Sequence, residues 1–114
     1  MNDTLLALCA QHGDRKTFSQ GQLIHQRGDA RPGLNIVQTG QVKVGNYGLD
    51  GQYQLTSYLQ RGDSFGEVTL LVEQPRTHHS EAHTDVVLTH LNHQAFNWMN
   101  ANVPEFNTYL LTSL

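Results

Sequence analysis

The spacing of apolar and polar positions divides this chain into three stretches. In the first, leucines occupy three of the four positions 5–8, directly behind Asp3 and Thr4. A short polar side chain at such a position caps the free N–H groups of a first helical turn. We therefore predict a brief helix near residues 3–11, capped by Asp3 or Thr4, with Cys9 as a small residue of its buried face.

The second stretch, from Lys16 onward, alternates short apolar runs with glycine-containing turns, which is typical of a β-sandwich or barrel. Asp50-Gly51 favours a hairpin turn. The Arg-Gly-Asp triplets at 27–29 and 61–63 are interpreted as strand-ending turns. Strands are predicted over the runs 23–24, 34–37, 42–44, 53–59 and 86–91, and a helical turn or two over 68–72.

The third stretch carries apolar residues at three- and four-residue intervals, which is the periodicity of a helix. They are Phe96, Met99, Val103, Phe106, Leu110 and Leu114. Pro104 divides the stretch into two helices, near residues 93–101 and 104–114. The second helix is still apolar at its last residue, so we expect it either to continue or to pack against a second copy of the chain.

Composition narrows the class of protein. A chain of 114 residues has room for one domain, and its apolar content of 38% is too high for a disordered segment. The net charge of −3 argues against a nucleic-acid interface within this chain, because such an interface needs a basic face. Cys9 has no second cysteine for a disulfide. With no signal-peptide pattern and no membrane-spanning run, we expect a cytoplasmic protein.

The residues around position 66 suit an anionic sugar ligand. Phe65 closes a strand, and Gly66 lets the backbone approach a ligand because no Cβ intervenes. The N–H groups of the helical turn that follows would face an anion. The Glu67 carboxylate accepts hydroxyl protons, and the Arg76 guanidinium suits bidentate phosphate contact. Together these groups match a ribose that carries a cyclic phosphate.

The same segment, Gly66-Glu67-x-x-Leu70-Leu71-x-x-x-Pro75-Arg76-Thr77, resembles the phosphate-binding cassette of cyclic-nucleotide-binding domains. The resemblance extends over roughly residues 16–114. It implies a mainly β fold: a jelly-roll-like β-roll of eight strands, or double-stranded β-helix, flanked by short N- and C-terminal α-helices. Within one domain, 1–114, the amino-terminal helix and lead-in would occupy 1–15, the β-roll 16–92 and the C-terminal helices 93–114.

The resemblance also implies a role for the cassette residues. Glu67 would accept the ribose 2′-hydroxyl, and Arg76 would pair with the cyclic phosphate. Backbone amides of Gly66, Glu67 and Thr77 would complete the anion site, and the Thr77 hydroxyl would touch phosphate or purine. The implied ligand is cyclic AMP or cyclic GMP, with no other cofactor and no metal. The implied ligand-binding set is Phe65, Gly66, Glu67, Val68, Arg76, Thr77 and His78.

The layout resembles the effector domain of Crp/Fnr transcription regulators, which are not enzymes. In that family the last helix lengthens into a dimerisation helix and leads to a helix-turn-helix domain, which residues 1–114 do not include. We therefore expect a homodimer through the C-terminal helix, DNA contact through a further domain, and no membrane partner. Ligand binding would stabilise one position of the C-terminal helices.

The residues after the arginine depart from the family pattern. Relatives usually continue roughly as Arg-Ser/Thr-Ala-Thr-Val, whereas this chain has Arg76-Thr77-His78-His79-Ser80. A histidine at 78 would crowd the pocket or supply a new donor. The alternative function is therefore a module that binds no nucleotide and acts by dimerisation or protein interaction, in which Glu67 and Arg76 form a structural ion pair.

Histidines near the last strand allow a metal interpretation. On a strand over 79–83, His79, Glu81 and His83 would point the same way and offer zinc-type ligands. A metal-dependent enzyme of the small β-barrel type is the function that would follow. By contrast, we expect His90 and His93 to be surface residues near a strand end.

Overall fold

The computed structural model describes residues 1–25, 33–47, 53–66 and 79–113. These residues form eight strands and three helices. In chain order they are α1 (Asp3–His12), β1 (Asp14–Phe18), β2 (Leu23–His25), β3 (Leu34–Thr39), β4 (Val42–Tyr47), β5 (Tyr53–Leu59), β6 (Ser64–Gly66), β7 (His79–Ala82), β8 (Val86–Leu91), α2 (His93–Asn102) and α3 (Pro104–Ser113). Within this part of the chain, no helix has the length and apolar character that crossing a bilayer requires.

The strands form two antiparallel sheets of four strands each. The first sheet has the order β1-β8-β3-β6, and the second has the order β2-β7-β4-β5. Strands that are far apart in sequence, such as β1 and β8 or β2 and β7, are hydrogen-bonded neighbours. The chain therefore passes back and forth between the sheets. This topology confirms the predicted mainly β roll with flanking helices.

Two apolar cores lie on opposite faces of the first sheet. The inner core, between the two sheets, consists of Val37, Val42, Ala82, Val86 and Leu88. The outer core, between the first sheet and the helices, consists of Leu5, Leu6, Cys9, Leu34, Ile36, Leu91, Met99, Val103 and Phe106. Successive side chains of a strand point to opposite faces, so β3 sends Ile36 to the outer core and Val37 to the inner core.

The cap of α1 differs from the prediction. Asn2 caps the helix, because its side-chain oxygen accepts a hydrogen bond from the Leu5 backbone N–H at 2.8 Å. Asp3 and Thr4 are already helical, so the prediction that one of them is the cap was wrong. All three side chains are able to cap a helix, and the choice among them follows from the helical frame that buries Leu5 and Cys9. The predicted burial of Cys9 is confirmed.

The two C-terminal helices are confirmed to within one residue at their ends. Asn92 caps α2 by accepting a hydrogen bond from the Ala95 backbone N–H at 2.8 Å. Met99 and Phe106 of the predicted apolar stripe are fully buried in the outer core. The last residue of the stripe, Leu114, lies outside the described residues.

One strand was missed by the sequence pattern. The residues of β1 are nearly all exposed and show no apolar alternation, so no strand was predicted there, and the boundary between the lead-in and the β-roll was placed at 15–16, inside this strand. Hydrogen bonding to β8, from Asp14↔His90 to Phe18↔Val86, holds this edge strand in the first sheet. The helical turn predicted within 68–72 lies outside the described residues.

Candidate ligand-binding site

The predicted ligand-binding set is described in part. Phe65 and Gly66 end β6. Outside the described residues lie Glu67, Val68, Arg76, Thr77 and His78. The structure therefore defines the strands on either side of the cassette. Strand β6 precedes it at an edge of the first sheet, and β7 follows it inside the second sheet.

Strand β6 brings Phe65 to the space between the sheets. It pairs with β3 through Ser64↔Ile36 and Phe65↔Asn35. The half-buried Phe65 packs against the inner core, whereas Ser64 lies on the opposite face, 2.8 Å from the Tyr109 hydroxyl of α3. The predicted ligand-binding phenylalanine thus faces the interior of the roll immediately before the cassette.

The turn before β6 fixes where that strand begins. Gly62 has a φ of +93°, which a residue with a Cβ rarely adopts. Its N–H donates to the Val37 carbonyl, and the Asp63 carbonyl accepts from the Val37 N–H. The Asp63 carboxylate accepts from the Gln60 backbone N–H at 2.9 Å. The interpretation of Arg61-Gly62-Asp63 as a strand-ending turn is confirmed, and the triplet at 27–29 lies outside the described residues.

Strand β7 has one face toward the interior and one toward the surface. It pairs with β4 through His79↔Gly45, Ser80↔Val44, Glu81↔Lys43 and Ala82↔Val42. Ser80 and Ala82 are buried, and Ala82 belongs to the inner core together with its partner Val42. On the outer face, Lys43 Nζ lies 3.8 Å from Glu81 Oε2. The first two inward side chains that follow the cassette in the described chain are therefore those of Ser80 and Ala82.

The described residues do not assemble the predicted zinc face. Strand β7 ends at Ala82, so the alternation that would align His83 with His79 and Glu81 is interrupted. Glu81 is paired with Lys43, and the exposed His83 ring lies 4.9 Å from the ring of Tyr58. In the part of the chain that the structure describes, no group of three metal-ligating side chains comes together.

A polar pair that the sequence did not predict lies beside Phe65. Asn35 Oδ1 and His90 Nδ1 are 3.0 Å apart, and Asn35 is buried. Asn35 is the register partner of Phe65 on one side and of His90 on the other. His90 is half-buried, so its assignment to the surface was wrong, whereas His93 is exposed as expected. A local sequence pattern does not predict that Asn35 pairs with His90, which lies 55 residues further along the chain.

The comparisons with known proteins point to one family. Residues 15–102 match the family model described as the cyclic nucleotide-binding domain. Among curated proteins, the chain is similar to a CRP-like cAMP-activated global transcriptional regulator of Mycobacterium tuberculosis. The two are 29% identical over 97 residues, which cover 85% of this chain and 43% of the regulator. This chain therefore spans less than half the length of that relative.

Solved structures agree with the sequence match. The crystal structure of Thermus thermophilus catabolite activator protein superposes with a TM-score of 0.82 at 26% identity, over 99% of this chain and 54% of that one. A structure described as "A cyclic-GMP-dependent signalling pathway regulates bacterial phytopathogenesis" superposes with a TM-score of 0.79 at 28% identity. That match covers 98% of this chain and 89% of the other.

Proposed function

This chain belongs to the cyclic nucleotide-binding domain family, and from that premise we propose that it is the effector-sensing domain of a Crp-like transcription regulator. The ligand is a purine cyclic mononucleotide, cyclic AMP or cyclic GMP. The domain binds and signals, and it catalyses no reaction.

The observation that carries this proposal is the placement of the two strands that flank the cassette, β6 before it and β7 after it. The family match includes all of residues 67–78. In the structure, Phe65 faces the interior directly before this segment and Ser80 faces it directly after. A ligand held by Glu67 at its ribose and by Arg76 at its phosphate would therefore lie at the junction of the two sheets.

The remaining ligand contacts follow from the same assignment. In the proposed complex the amides of Gly66, Glu67 and Thr77 would bind the phosphate. Val68 and Phe65 would supply apolar contact, and His78 would contact the ligand. Two relatives carry different effectors in their descriptions, cAMP in one and cyclic GMP in the other. Purine preference is for that reason the first quantity to measure.

Isothermal titration with each nucleotide tests the proposal. We expect binding by the unaltered chain and a loss of at least about thirtyfold in affinity for Arg76→Leu, because a phosphate then lacks its cation. Arg61→Leu is the matched control, since Arg61 is exposed and pairs with Asp3 at the amino terminus of α1. Absence of heat with both nucleotides would instead support a module that acts by dimerisation alone.

The output of the domain is proposed to pass through α3. The Tyr109 hydroxyl of α3 bonds Ser64 in β6, the strand that leads into the cassette. Leu111 of the same helix is 75% exposed, which supports a homodimer through this helix. In a cytoplasmic regulator, DNA contact would belong to a separate helix-turn-helix domain. Sedimentation of the chain with and without Leu111→Asp tests the dimer, because a charge at a buried interface opposes association.

A further inference from the structure

Strand β7 carries a buried hydroxyl group that has no hydrogen-bond partner among the described residues. Ser80 is 3% exposed, and its Oγ finds neither donor nor acceptor in that part of the chain. A hydroxyl taken out of water without a partner destabilises the folded state, so buried polar groups are nearly always paired. An unpaired one needs a physical explanation.

The other buried polar side chains of the described chain are paired. Asn35 bonds His90 at 3.0 Å. The Thr89 hydroxyl accepts a hydrogen bond from the Gln38 side-chain amide at 2.9 Å. Ser80 thus stands apart from Asn35 and Thr89, and general looseness of packing does not account for it.

The hydroxyl lies on the inward face of β7. Ser80 is opposite Val44 and has the same orientation as Ala82, whose partner is Val42. Ala82 and Val42 are fully buried in the inner core, and Val44 packs against it. The residue on the outward face between them, Glu81, is paired with Lys43 at the surface. The Ser80 hydroxyl therefore points into the roll, on the face that carries Ala82 and beside Val44.

The position of Ser80 in the chain connects its hydroxyl group with the proposed ligand. Ser80 is four residues after Arg76 and is the first described inward side chain beyond the cassette. The usual family pattern has valine at this position, so here a hydroxyl group replaces one of the two valine methyl groups and the other is absent. In apolar surroundings that replacement is unfavourable unless another molecule supplies a partner.

We propose that the Ser80 hydroxyl hydrogen-bonds the base of the bound cyclic nucleotide and contributes to purine preference. This inference rests on the proposed function. The base is the part of the ligand left for Ser80, because the ribose is assigned to Glu67 and the phosphate to Arg76. A hydroxyl donates as well as accepts, so it pairs with an amino group or a carbonyl on a purine edge.

The test measures binding and stability separately in Ser80→Ala and Ser80→Val. We expect the affinity for the preferred nucleotide to fall about tenfold, with a change in the ratio of the cyclic AMP and cyclic GMP dissociation constants. Without nucleotide, we expect the melting temperature to stay the same or to rise by about 4 °C, since no protein hydrogen bond is lost. Ser57→Ala, at an exposed serine of β5, should change neither quantity.

Each other result overturns the inference in a different way. Unchanged affinity in both Ser80 variants, with Arg76→Leu still impaired, removes Ser80 from the site and leaves the proposed function intact. Equal weakening of both nucleotides places the hydroxyl at the shared sugar-phosphate and refutes the contact with the base. A drop of several degrees in the nucleotide-free melting temperature shows a protein partner instead. If the unaltered chain binds neither nucleotide, the proposed function and this inference fail together.

Discussion

The Tyr109 hydroxyl connects α3 with β6, the strand that leads into the cassette. Removing this hydroxyl breaks the connection without leaving a cavity. It donates to the Gly62 carbonyl at 3.2 Å and shares a hydrogen bond of 2.8 Å with the Ser64 hydroxyl. Tyr109→Phe deletes one oxygen atom and leaves the ring in place. The substitution therefore tests the polar connection between α3 and β6 rather than the packing of the ring.

The expected loss of stability follows from the two partly buried hydrogen bonds of the Tyr109 hydroxyl. Each contributes about 0.5–1.5 kcal/mol net. The Ser64 hydroxyl is able to turn toward the Gly62 carbonyl after the substitution, which recovers part of the loss. We therefore expect the free energy of unfolding to fall by about 1–2 kcal/mol, which for a domain of this size lowers the melting temperature by about 4–8 °C.

Urea and thermal unfolding measure this loss, with Tyr58→Phe as the matched control. Tyr58 is 47% exposed, so its substitution should change stability by less than about 0.5 kcal/mol. A double-mutant cycle with Ser64→Ala should return a coupling energy of about 1 kcal/mol between the two hydroxyls. If Tyr109→Phe is as neutral as Tyr58→Phe, or if the cycle gives no coupling, the helix is not held to β6 in the way described.

Three other predictions concern the helices and the outer core. Asn92→Ala should destabilise the chain by about 1 kcal/mol in urea unfolding because α2 loses its cap, whereas Asn97→Ala, inside the same helix and exposed, should not. Phe106→Ala should cost about 3–5 kcal/mol, since the ring is fully buried and leaves a cavity; a loss below about 1 kcal/mol would contradict its core position. Burial raises the pKa of the Cys9 thiol from 9.0 to about 11, so the unfolded state releases that proton at lower pH than the folded state does. Stability should therefore decline as the pH rises from about 9 to about 11, and this part of the decline should be absent in Cys9→Ala.

The sequence predicted those elements of the fold in which the periodic apolar residues are also the residues that are buried. The stripe that includes Met99 and Phe106 predicted both C-terminal helices because one face of each is buried. Strand β1 was missed because its first four residues are exposed and only Phe18 packs against the inner core, so hydrogen bonds to β8 rather than an apolar pattern mark it as a strand. The cap at Asn2 was missed because three adjacent residues are chemically able to cap, and tertiary packing selects among them.

For the candidate site, the sequence showed the family resemblance but not the contacts between distant strands. The cassette with Gly66, Glu67 and Arg76 was predicted from its resemblance to a known family, and the family match over residues 15–102 includes that segment. The roles of its side chains stay predictions. The Asn35–His90 pair and the inward hydroxyl of Ser80 depend on register between strands that are far apart in the chain. The sequence shows that position 80 departs from the family pattern. Only the structure shows that the Ser80 side chain points into the roll.

The first sheet separates two apolar compartments, and its two central strands, β3 and β8, contribute side chains to both. Ile36 and Val37 are consecutive in β3, yet each fills a different compartment. A one-residue insertion or deletion inside β3 would exchange the contents of both at once, because every side chain beyond it would change faces. Differences in length among related chains should accordingly accumulate in the connections, and the number of residues in this strand should be invariant.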